Sequence, residues 1–369
     1  MTLYEELKAR GLVAQITDEE IIDLINNGKA TFYIGFDCTA DSLTAGHFLA
    51  LTLMKRLQLA GNKPIALIGG GTTMIGDPSG RTDMRKMLTK DDIAHNAACF
   101  KKQMEKFIDF SEGKAIIANN GDWLRSLNFI EFMRDIGSMF SVNKMLTAEC
   151  YKARMATDNG LSFLEFTYML MQSYDFLELF KKYGCRLEMG GNDQIFNLLA
   201  GRDLMRAEGM EPQVALTVPL LVGTDGVKKM SKSYGNYIGL TDEPNDMFGK
   251  VMSIADEIVP MYYRLCSTLS IEEMDAIDEA FANGTADAYQ LKRALGVNIV
   301  DLYHGEGAGE KAMAAFDAQF KENKEPDYVK EFPLSIVEVN DEGKVYLGKL
   351  LVDLEIAKSA GEARRLVDG

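Results

Sequence analysis

Histidine and cysteine are scarce in this chain of 369 residues, which contains three histidines and five cysteines. The cysteines are scattered and form no C-x-x-C pair. Because these possible metal ligands and disulfide partners are few and dispersed, the sequence argues against a zinc site and against a disulfide framework. We therefore expect reduced thiols, a cytoplasmic location and no metal held by protein side chains.

Long apolar runs and an excess of positive charge are also missing. No apolar stretch approaches the ~20 residues needed to span a bilayer, and the N-terminus lacks the basic-then-apolar pattern of a signal peptide. We expect a soluble protein with no membrane partner. The formal net charge is −15, so any contact with nucleic acid requires a local basic patch or a segment outside this chain.

The order of predicted elements indicates a doubly wound α/β fold. TFYIGF at 31–36 predicts a strand, the apolar spacing at 47–60 predicts a helix, and the continuous apolar run at 64–71 is typical of a buried parallel strand. A strand–helix–strand order of this kind favours a Rossmann-like parallel sheet. Further strands are predicted at 115–118, 186–190 and 214–222, and further helices at 91–109, 161–182 and from 192.

The character of the chain changes after the last predicted strand. A loop rich in Gly, Lys and Ser, GTDGVKKMSKSYGN at 223–236, is followed by a helical pattern at 245–322 and a charged, Pro-containing linker at 323–332. The stretch 347–369 predicts two short helices. These changes divide the chain into four expected parts: a Rossmann-like domain with a helical insertion at 1–222, the loop and linker at 223–244, an all-helical domain at 245–322 and a small domain at 333–369.

Two short segments carry the candidate chemistry. TAGH at 44–47 lies at the first strand-to-helix turn, where a glycine lets a ligand approach the backbone and helix N–H groups face phosphate. KKMSKS at 228–233 places lysines on a flexible loop that could close over a triphosphate. Taken separately, the first is better explained as a capped helix with a chance histidine, and the second as a solvated surface loop.

Together, TAGH at 44–47 and KMSKS at 229–233 resemble the two signatures of class I aminoacyl-tRNA synthetases. The stretches that resemble bacterial tyrosyl-tRNA synthetases are YIGFDCTADSL at 33–43, GGGTTMIGDPSGRT at 69–82, FLEFTYMLMQSYDF at 163–176 and GGNDQ at 190–194. The resemblance implies an enzyme that activates L-tyrosine with ATP and Mg²⁺ to give tyrosyl-adenylate and pyrophosphate. It then transfers the tyrosyl group to the 3′ end of tRNA(Tyr).

A tyrosine pocket is predicted around one helix. Tyr168, Gln172 and Asp175 are spaced by four and three residues, which places them on one face of a helix that is apolar nearly all round. A buried carboxylate needs a partner, although spacing alone fits a helix that packs its polar face on a neighbour. By the resemblance, Asp175 and Tyr33 bind the substrate phenol, and Tyr168, Gln172 and Asp77 hold its α-ammonium.

The nucleotide site is assigned by the resemblance alone. It implies that His47 packs against the ATP ribose, that Asp193 binds a ribose hydroxyl and that Gln194 lies beside it on the tyrosine side. The remaining expected ATP-binding residues are Gly35, Asp37, Gly46, Gly191, Lys228, Lys229, Met230, Ser231 and Lys232. Ile195 stands where family members commonly have tryptophan, a change that we expect to affect packing only.

Catalysis by such an enzyme rests on positioning and on neutralising phosphate charge. By the resemblance, Lys229 and Lys232 are the main catalytic residues, assisted by Thr39, Thr44, His47, Arg81 and Arg85. The family usually has a histidine in place of Thr44. Because a hydroxyl donates one hydrogen bond but carries no charge, we expect this replacement to affect the rate of activation rather than nucleotide binding.

Three other functions are alternatives. A tryptophanyl-tRNA synthetase shares the fold, but an indole offers only an N–H donor to Tyr33 and Asp175. A non-catalytic RNA-binding relative has Thr44 as its only support. A nucleotidyltransferase can share a related G-H motif, but the tyrosine pocket and the lysine-containing loop argue against it.

The resemblance also implies partners and further domains. Family members form homodimers through helices near 125–150, and FIEFMRDIGSMF at 129–140 is apolar enough for that purpose or for plain core. The helical domain at 245–322 would recognise the anticodon. The end of the chain resembles the start of an S4-like RNA-binding domain, so we expect a C-terminal truncation there.

Overall fold

The computed structural model describes residues 1–79, 87–158, 160–320 and 345–354, with scattered residues from 356 to 367. The chain divides into two compact units, Met1–Met313 and Ala314–Gly369. Arg81, Arg85, the predicted linker at 323–332 and the start of the small domain lie outside the described residues. None of the described helices combines the length and the hydropathy needed to cross a membrane.

A six-stranded sheet forms the centre of the first unit. Its strands are β1 (Gln15–Ile16), β2 (Thr31–Phe36), β3 (Lys63–Ile68), β4 (Ile116–Asn119), β5 (Leu187–Gly191) and β6 (Val214–Val218). The spatial order is β1-β6-β5-β2-β3-β4. Strands β2 to β6 pair in parallel, and the two-residue β1, which the sequence did not predict, pairs antiparallel with β6. The predicted Rossmann-like doubly wound fold is confirmed.

Helices surround this sheet and continue beyond it. Those described up to β6 are α1 (Leu3–Ala9), α2 (Glu20–Asn26), α3 (Ala45–Leu59), α4 (Lys90–Met104), α5 (Gly121–Leu124), α6 (Phe129–Asp135), α7 (Val142–Met145), α8 (Glu149–Met155), α9 (Phe163–Phe166), α10 (Tyr168–Tyr183) and α11 (Ile195–Ala207). Those described after β6 are α12 (Pro244–Met252), α13 (Val259–Cys266), α14 (Ile271–Ala282), α15 (Ala288–His304), α16 (Ala308–Phe320) and α17 (Leu347–Asp353). The predicted helical pattern after residue 245 is therefore present, while the second short helix predicted in 347–369 falls largely outside the described residues.

Two predicted elements have different bounds in the structure. The helix predicted at 161–182 is divided at Thr167, whose hydroxyl donates a 2.8 Å hydrogen bond to the Leu164 carbonyl and so competes with the helical ladder. The strand predicted at 214–222 ends at Val218 because Pro219 has no N–H to donate to a neighbouring strand. Gly184, in the left-handed conformation with φ 64°, ends α10.

The sheet topology places a crevice beside β2. From β2 the chain builds outward through β3 and β4 on one side, and it later returns to place β5 and β6 on the other side. In open α/β sheets, ligands bind outside the carboxyl ends of the strands where the order reverses in this way. The turn after β2 and the turn after β5 therefore meet at the expected binding position.

Candidate active site

A single continuous cavity at this crevice is lined by most of the residues predicted from the sequence. The predicted residues in its wall are Tyr33, Gly35, Asp37, Thr39, Thr44, Gly46, His47, Asp77, Tyr168, Gln172, Asp175, Gly191, Asp193, Gln194, Lys229, Met230, Ser231 and Lys232. Lys228 is exposed outside this wall, with Nζ 5.1 Å from the centroid of the Tyr234 ring.

Asp175 is a buried residue of the cavity wall and is held by two donors, one from Asn120 after β4 and one from Trp123 in α5. Asn120 Nδ2 donates to Asp175 Oδ2 at 2.8 Å, and Trp123 Nε1 donates to Asp175 Oδ1 at 2.7 Å. Burial raises the pKa of Asp175 well above its ordinary value, and these two N–H donors oppose that rise. The carboxyl group is thus fixed in position, and its oxygens keep acceptor capacity beyond these two bonds.

Tyr33 lines the same cavity from β2. Its side chain is 1% exposed, and its hydroxyl lacks a hydrogen-bond partner of regular geometry among the described residues. Burial and the nearby Glu188 carboxylate raise the pKa of Tyr33 well above its ordinary value, so the phenol stays protonated. A buried hydroxyl in this state is available to a polar group of a bound molecule.

A second set of hydrogen bonds joins Tyr168 to the Asp175 pocket. Tyr168 Oη donates to Asp37 Oδ2 at 3.0 Å, and Thr72 Oγ1 donates to Asp37 Oδ1 at 2.7 Å. Asn120 Nδ2 donates to Thr72 Oγ1 at 3.0 Å as well as to Asp175. Asp37 therefore ties the turn after β2 to α10 from inside the cavity.

A chain of amides crosses the floor of the cavity between two carboxylates. Gln172 Nε2 donates to Glu188 Oε1 at 3.0 Å, and Gln172 Oε1 accepts from Asn197 Nδ2 at 2.9 Å. Asn197 Nδ2 also donates to Gln194 Oε1 at 3.1 Å, and Gln194 Nε2 donates to Asp77 Oδ2 at 2.7 Å. Because a carboxylate accepts at each end, the orientation of every amide between Glu188 and Asp77 is set. We call this set the amide chain.

The start of α3 presents Thr44 and His47 to the cavity. The Thr44 backbone N–H donates to His47 Nδ1 at 3.1 Å, and Thr44 Oγ1 lies 3.0 Å from the same nitrogen. The imidazole therefore carries its proton on Nε2 when it is neutral. Thr44 is 3% exposed. Its hydroxyl therefore contacts His47 rather than bulk solvent.

The loop at 223–236, named here the lysine loop, brings two cations to the open end of the cavity. Lys229 Nζ donates to Asp193 Oδ2 at 2.6 Å and to the Ser79 carbonyl at 3.3 Å, while Lys232 Nζ lies 3.5 Å from Asp41 Oδ1. Asn236 shapes the loop, because its Oδ1 accepts from the Ser231 N–H at 2.9 Å.

Backbone hydrogen bonds fasten the lysine loop to the body of the protein. In the middle of the loop, the Met230 N–H donates to the Leu221 carbonyl at 2.8 Å. Just beyond the C-terminal end of the loop, the Ala45 N–H donates to the Ile238 carbonyl at 2.8 Å, and the Leu240 N–H donates to the Leu43 carbonyl at 3.0 Å. The last two bonds, named here the backbone strap, join the start of α3 directly to the segment that follows the loop.

Known proteins are similar in sequence to this chain over almost its whole length. Residues 25–321 match the family model of class I tRNA synthetases (W and Y). A tyrosine–tRNA ligase of Clostridium botulinum strain Hall is 48% identical over 373 residues, covering 99% of this chain and 88% of that ligase. One of Fusobacterium nucleatum is 46% identical over 371 residues, covering 99% and 89%. This chain belongs to the class I tRNA synthetases of the W and Y type.

Solved synthetase structures share the fold of this synthetase. A C-terminally truncated mitochondrial tyrosyl-tRNA synthetase of Aspergillus nidulans superposes with a TM-score of 0.69 at 25% identity, covering 86% of this chain and 94% of that chain. The tyrosyl-tRNA synthetase of Archaeoglobus fulgidus complexed with L-tyrosine superposes with a TM-score of 0.67 at 21% identity, covering 84% and 99%. The second likeness supports the fold alone.

Several polar residues of the site in this synthetase were missed by the sequence analysis. Thr72, Asn120 and Glu188 line the cavity, whereas Trp123, Asn197 and Gln213 donate hydrogen bonds to residues of its wall. Two signals were present: NNGDW at 119–123 follows a predicted strand at the ligand-binding edge, and Glu188 interrupts an apolar strand. No group of three or more His, Cys, Asp or Glu side chains in the described part of the synthetase is placed to hold a metal ion.

Proposed function

We propose that this synthetase is a tyrosine–tRNA ligase. The observation that carries the proposal is one cavity that joins two buried polar groups, the Tyr33 hydroxyl and the Asp175 carboxyl, to the lysine loop. The closest described contacts at the Asp175 end are donors, which leaves the carboxylate able to accept a substrate O–H. The names and 46–48% identities of the bacterial relatives support the same activity.

The reaction has two steps. A tyrosine carboxylate oxygen forms a bond to the α-phosphorus of ATP while the bond from that phosphorus to the bridging oxygen breaks, which releases pyrophosphate. A ribose hydroxyl at the 3′ end of tRNA(Tyr) then attacks the tyrosyl carbonyl, and AMP leaves. Neither step oxidises or reduces a group, so the protein's task is to position the reactants and to stabilise charge.

Substrate tyrosine fits the carboxylate-rich end of the cavity. Its phenol would donate to Asp175 and accept from the Tyr33 hydroxyl. Its α-ammonium would lie against Tyr168 and the amide chain, whose Gln172 and Asp77 are the residues expected for this role, with Gln194 on the tyrosine side. Acceptors that are left unpaired by phenylalanine disfavour that competitor, because a buried polar group without a partner costs roughly 1–3 kcal/mol.

ATP fits the open end of the cavity. His47 and Asp193 would meet the ribose, with Gly35, Asp37, Gly46 and Gly191 lining the approach. Lys229 and Lys232 would exchange their aspartate partners for phosphate oxygens. Thr39 and Lys228 would lie nearby. Arg81 and Arg85 are assigned to the phosphates by resemblance alone. We propose that Mg²⁺ enters as part of the nucleotide substrate, bound to its phosphate oxygens.

Exchange of labelled pyrophosphate into ATP with each of the twenty amino acids tests the activity. Tyrosine alone should support exchange, and the product with tRNA should be tyrosyl-tRNA. Exchange supported by tryptophan would make the chain a tryptophanyl enzyme. An absence of exchange with every amino acid, in a folded protein that still binds tRNA, would favour the non-catalytic relative.

Removing the Thr44 hydroxyl should slow activation moderately. Thr44→Val keeps the shape but loses the group 3.0 Å from His47 Nδ1, and one hydrogen bond is worth about 0.5–1.5 kcal/mol. We expect the activation rate to fall roughly fivefold with little change in the KM for tyrosine. Single-turnover measurement of tyrosyl-adenylate formation checks this, with Thr44→Ser as the matched control. A valine variant as fast as the serine variant would make the hydroxyl a bystander.

We propose that two copies of the chain associate through the region around α6. Its apolar side chains are unusually open: Phe129 is 65% exposed, Ile130 70% and Val142 54%. Exposed apolar patches of this kind are typical of protein–protein contact sites. The domain assignment follows the same resemblance, with catalysis in 1–222, the loop and linker in 223–244, anticodon recognition in 245–322 and an S4-like RNA-binding part in 333–369.

Charge introduced into this surface should weaken self-association. The double variant Phe129→Asp, Ile130→Asp places two carboxylates where an apolar contact is proposed, so sedimentation velocity should show a shift from dimer to monomer. Leu59→Asp is the matched control, because Leu59 is 78% exposed at the far end of α3. An unchanged dimer in the double variant would move the interface elsewhere.

The site of the reaction is proposed to be the cytoplasm. All five cysteines are free thiols, and three of them, Cys38, Cys185 and Cys266, are buried. Thiols in this state are characteristic of a reducing compartment.

A further inference from the structure

Glu188 is a buried carboxylate that no part of the proposed reaction uses. It is 2% exposed and lines the cavity from the middle of β5. In the parallel pairing of β2 with β5, Glu188 is the direct partner of Tyr33. Neighbouring residues in register project to the same face of a sheet, so Glu188 stands beside the hydroxyl proposed to bind the substrate phenol.

Both oxygens of Glu188 accept hydrogen bonds from amides. Gln172 Nε2 donates to Oε1 at 3.0 Å, and Gln213 Nε2 donates to Oε2 at 2.7 Å. Through Gln172, Glu188 is the deep end of the amide chain that leads to Asp77. An ionised carboxylate accepts on both oxygens, whereas a protonated one presents an O–H to a donor that already points at it.

We propose that Glu188 is a positioning residue of the tyrosine pocket, whose ionised carboxylate sets the amide chain in the orientation that binds the substrate ammonium. This inference rests on the proposed function. In this proposal the proton of protonated Glu188 lies on Oε1, where it faces Gln172 Nε2, and Gln172 turns to accept it through Oε1. A turned Gln172 presents N–H groups where the substrate ammonium requires acceptors, and binding weakens.

The surroundings of Glu188 place its titration in the range where the enzyme is assayed. Burial raises the pKa of Glu188 to about 7, opposed by the Gln172 amide, by the nearby Tyr33 hydroxyl and by the Gln213 amide. The titratable groups that face it are Tyr33 from β2, Asp175 from α10 and Cys185 from the turn before β5. These three groups carry no positive charge in any protonation state, and the amide-bearing neighbours Gln172, Asn197 and Gln213 are neutral.

The raised pKa also fixes the sign of the pH dependence of stability. The folded state holds a proton on Glu188 between the ordinary carboxyl pKa of 4.5 and about 7, where the unfolded chain has lost it. The Glu188 contribution to stability is therefore present at pH 5 and decreases as the pH rises toward 7. The glutamine in Glu188→Gln does not titrate, so the variant does not lose stability in this way as the pH rises. The Tm of the variant minus the Tm of the native enzyme should therefore be larger at pH 8 than at pH 5.

The proposal is tested by the KM for tyrosine in pyrophosphate exchange between pH 6 and pH 8.5 at saturating ATP. In the native enzyme the KM should rise as the pH falls through about 7, reaching up to about tenfold between pH 8 and pH 6 if only the ionised form binds. The kcat should change less. In Glu188→Gln the KM should be flat over this range. The buried Gln213 Oε1, unpartnered among the described residues, can accept from the new amide and keep the variant folded.

A control variant and a binding measurement make the outcome decisive. Glu178→Gln removes a carboxylate of α10 that is paired with Lys182 outside the cavity, and it should keep the native profile. Quenching of Trp123, the only tryptophan in the sequence, measures the tyrosine Kd without ATP, so Glu188 is tested even in a chain that fails to exchange. The proposal would be overturned by a native Kd that does not vary with pH. It would also be overturned if the pH dependence persisted in Glu188→Gln, because the titrating group would then be a different residue.

Discussion

Asp175→Ala is expected to lower kcat/KM for tyrosine by roughly 100-fold or more. The variant loses the acceptor for the substrate phenol, and bound tyrosine excludes water from its own hydroxyl and from two buried donors, at about 1–3 kcal/mol for each unpaired group. Those donors are Asn120 Nδ2 and Trp123 Nε1, at 2.8 Å and 2.7 Å from the carboxylate. Since each 1.4 kcal/mol is a factor of ten, the smallest of these sums already gives that loss.

Pyrophosphate exchange over a range of tyrosine and phenylalanine concentrations measures this effect. The preference for tyrosine over phenylalanine should collapse together with tyrosine binding, because the acceptor that distinguishes them is gone. Glu178→Ala is the matched control on the same helix, and circular dichroism establishes that both variants are folded. An Asp175→Ala protein that still prefers tyrosine would show that the phenol binds elsewhere.

Lys232→Ala should reduce the rate of tyrosine activation by roughly 100- to 1,000-fold, which is the usual cost of removing one group that stabilises transition-state charge. Lys232 lines the cavity on a segment that is fixed on both sides, and its described ion-pair partner is the largely exposed Asp41. Phosphate oxygens can therefore replace that partner at little cost. Tyrosine binds at the other end of the cavity, so its KM should change by less than about twofold.

Lys228→Ala provides the control for this variant. Lys228 belongs to the same loop and has the same charge, but it is exposed outside the cavity wall. Single-turnover rates should separate the two variants by at least about tenfold if position, rather than overall loop charge, determines the effect. Equal losses in both variants, or a large rise in the KM for tyrosine at a normal rate in Lys232→Ala, would contradict the role assigned to Lys232.

Local sequence patterns predicted the sheet well because they reflect local causes. A buried parallel strand needs a continuous apolar run, and 64–71 provided one that became β3. The predicted bounds of a strand and a helix were wrong where a single residue interrupts the local sequence pattern. Pro219 ended β6 early, and the Thr167 hydroxyl divided the helix that carries Tyr168. The two-residue β1 exists only through its pairing with β6, which local patterns do not report.

The candidate site was predictable as far as motifs and spacing extend. Tyr168, Gln172 and Asp175 share a helix, and all three line the cavity. Their partners come from distant segments: Asn120 lies 55 positions and Trp123 lies 52 positions from Asp175 along the chain. Such pairs depend on how strands are ordered in the sheet, which one sequence without its fold does not specify.

The backbone strap limits which sequence changes are tolerated near the two signature segments, 44–47 and 229–233. Its bonds run from the Ala45 N–H to the Ile238 carbonyl and from the Leu240 N–H to the Leu43 carbonyl, and they involve no side chain. Substitution of a residue such as Thr44 therefore leaves the junction intact, whereas an inserted or deleted residue on either side would shift one segment against the other. In this chain the two segments therefore tolerate a change of side chain far better than a change of length, and an exchange of either segment for one of equal length preserves the strap.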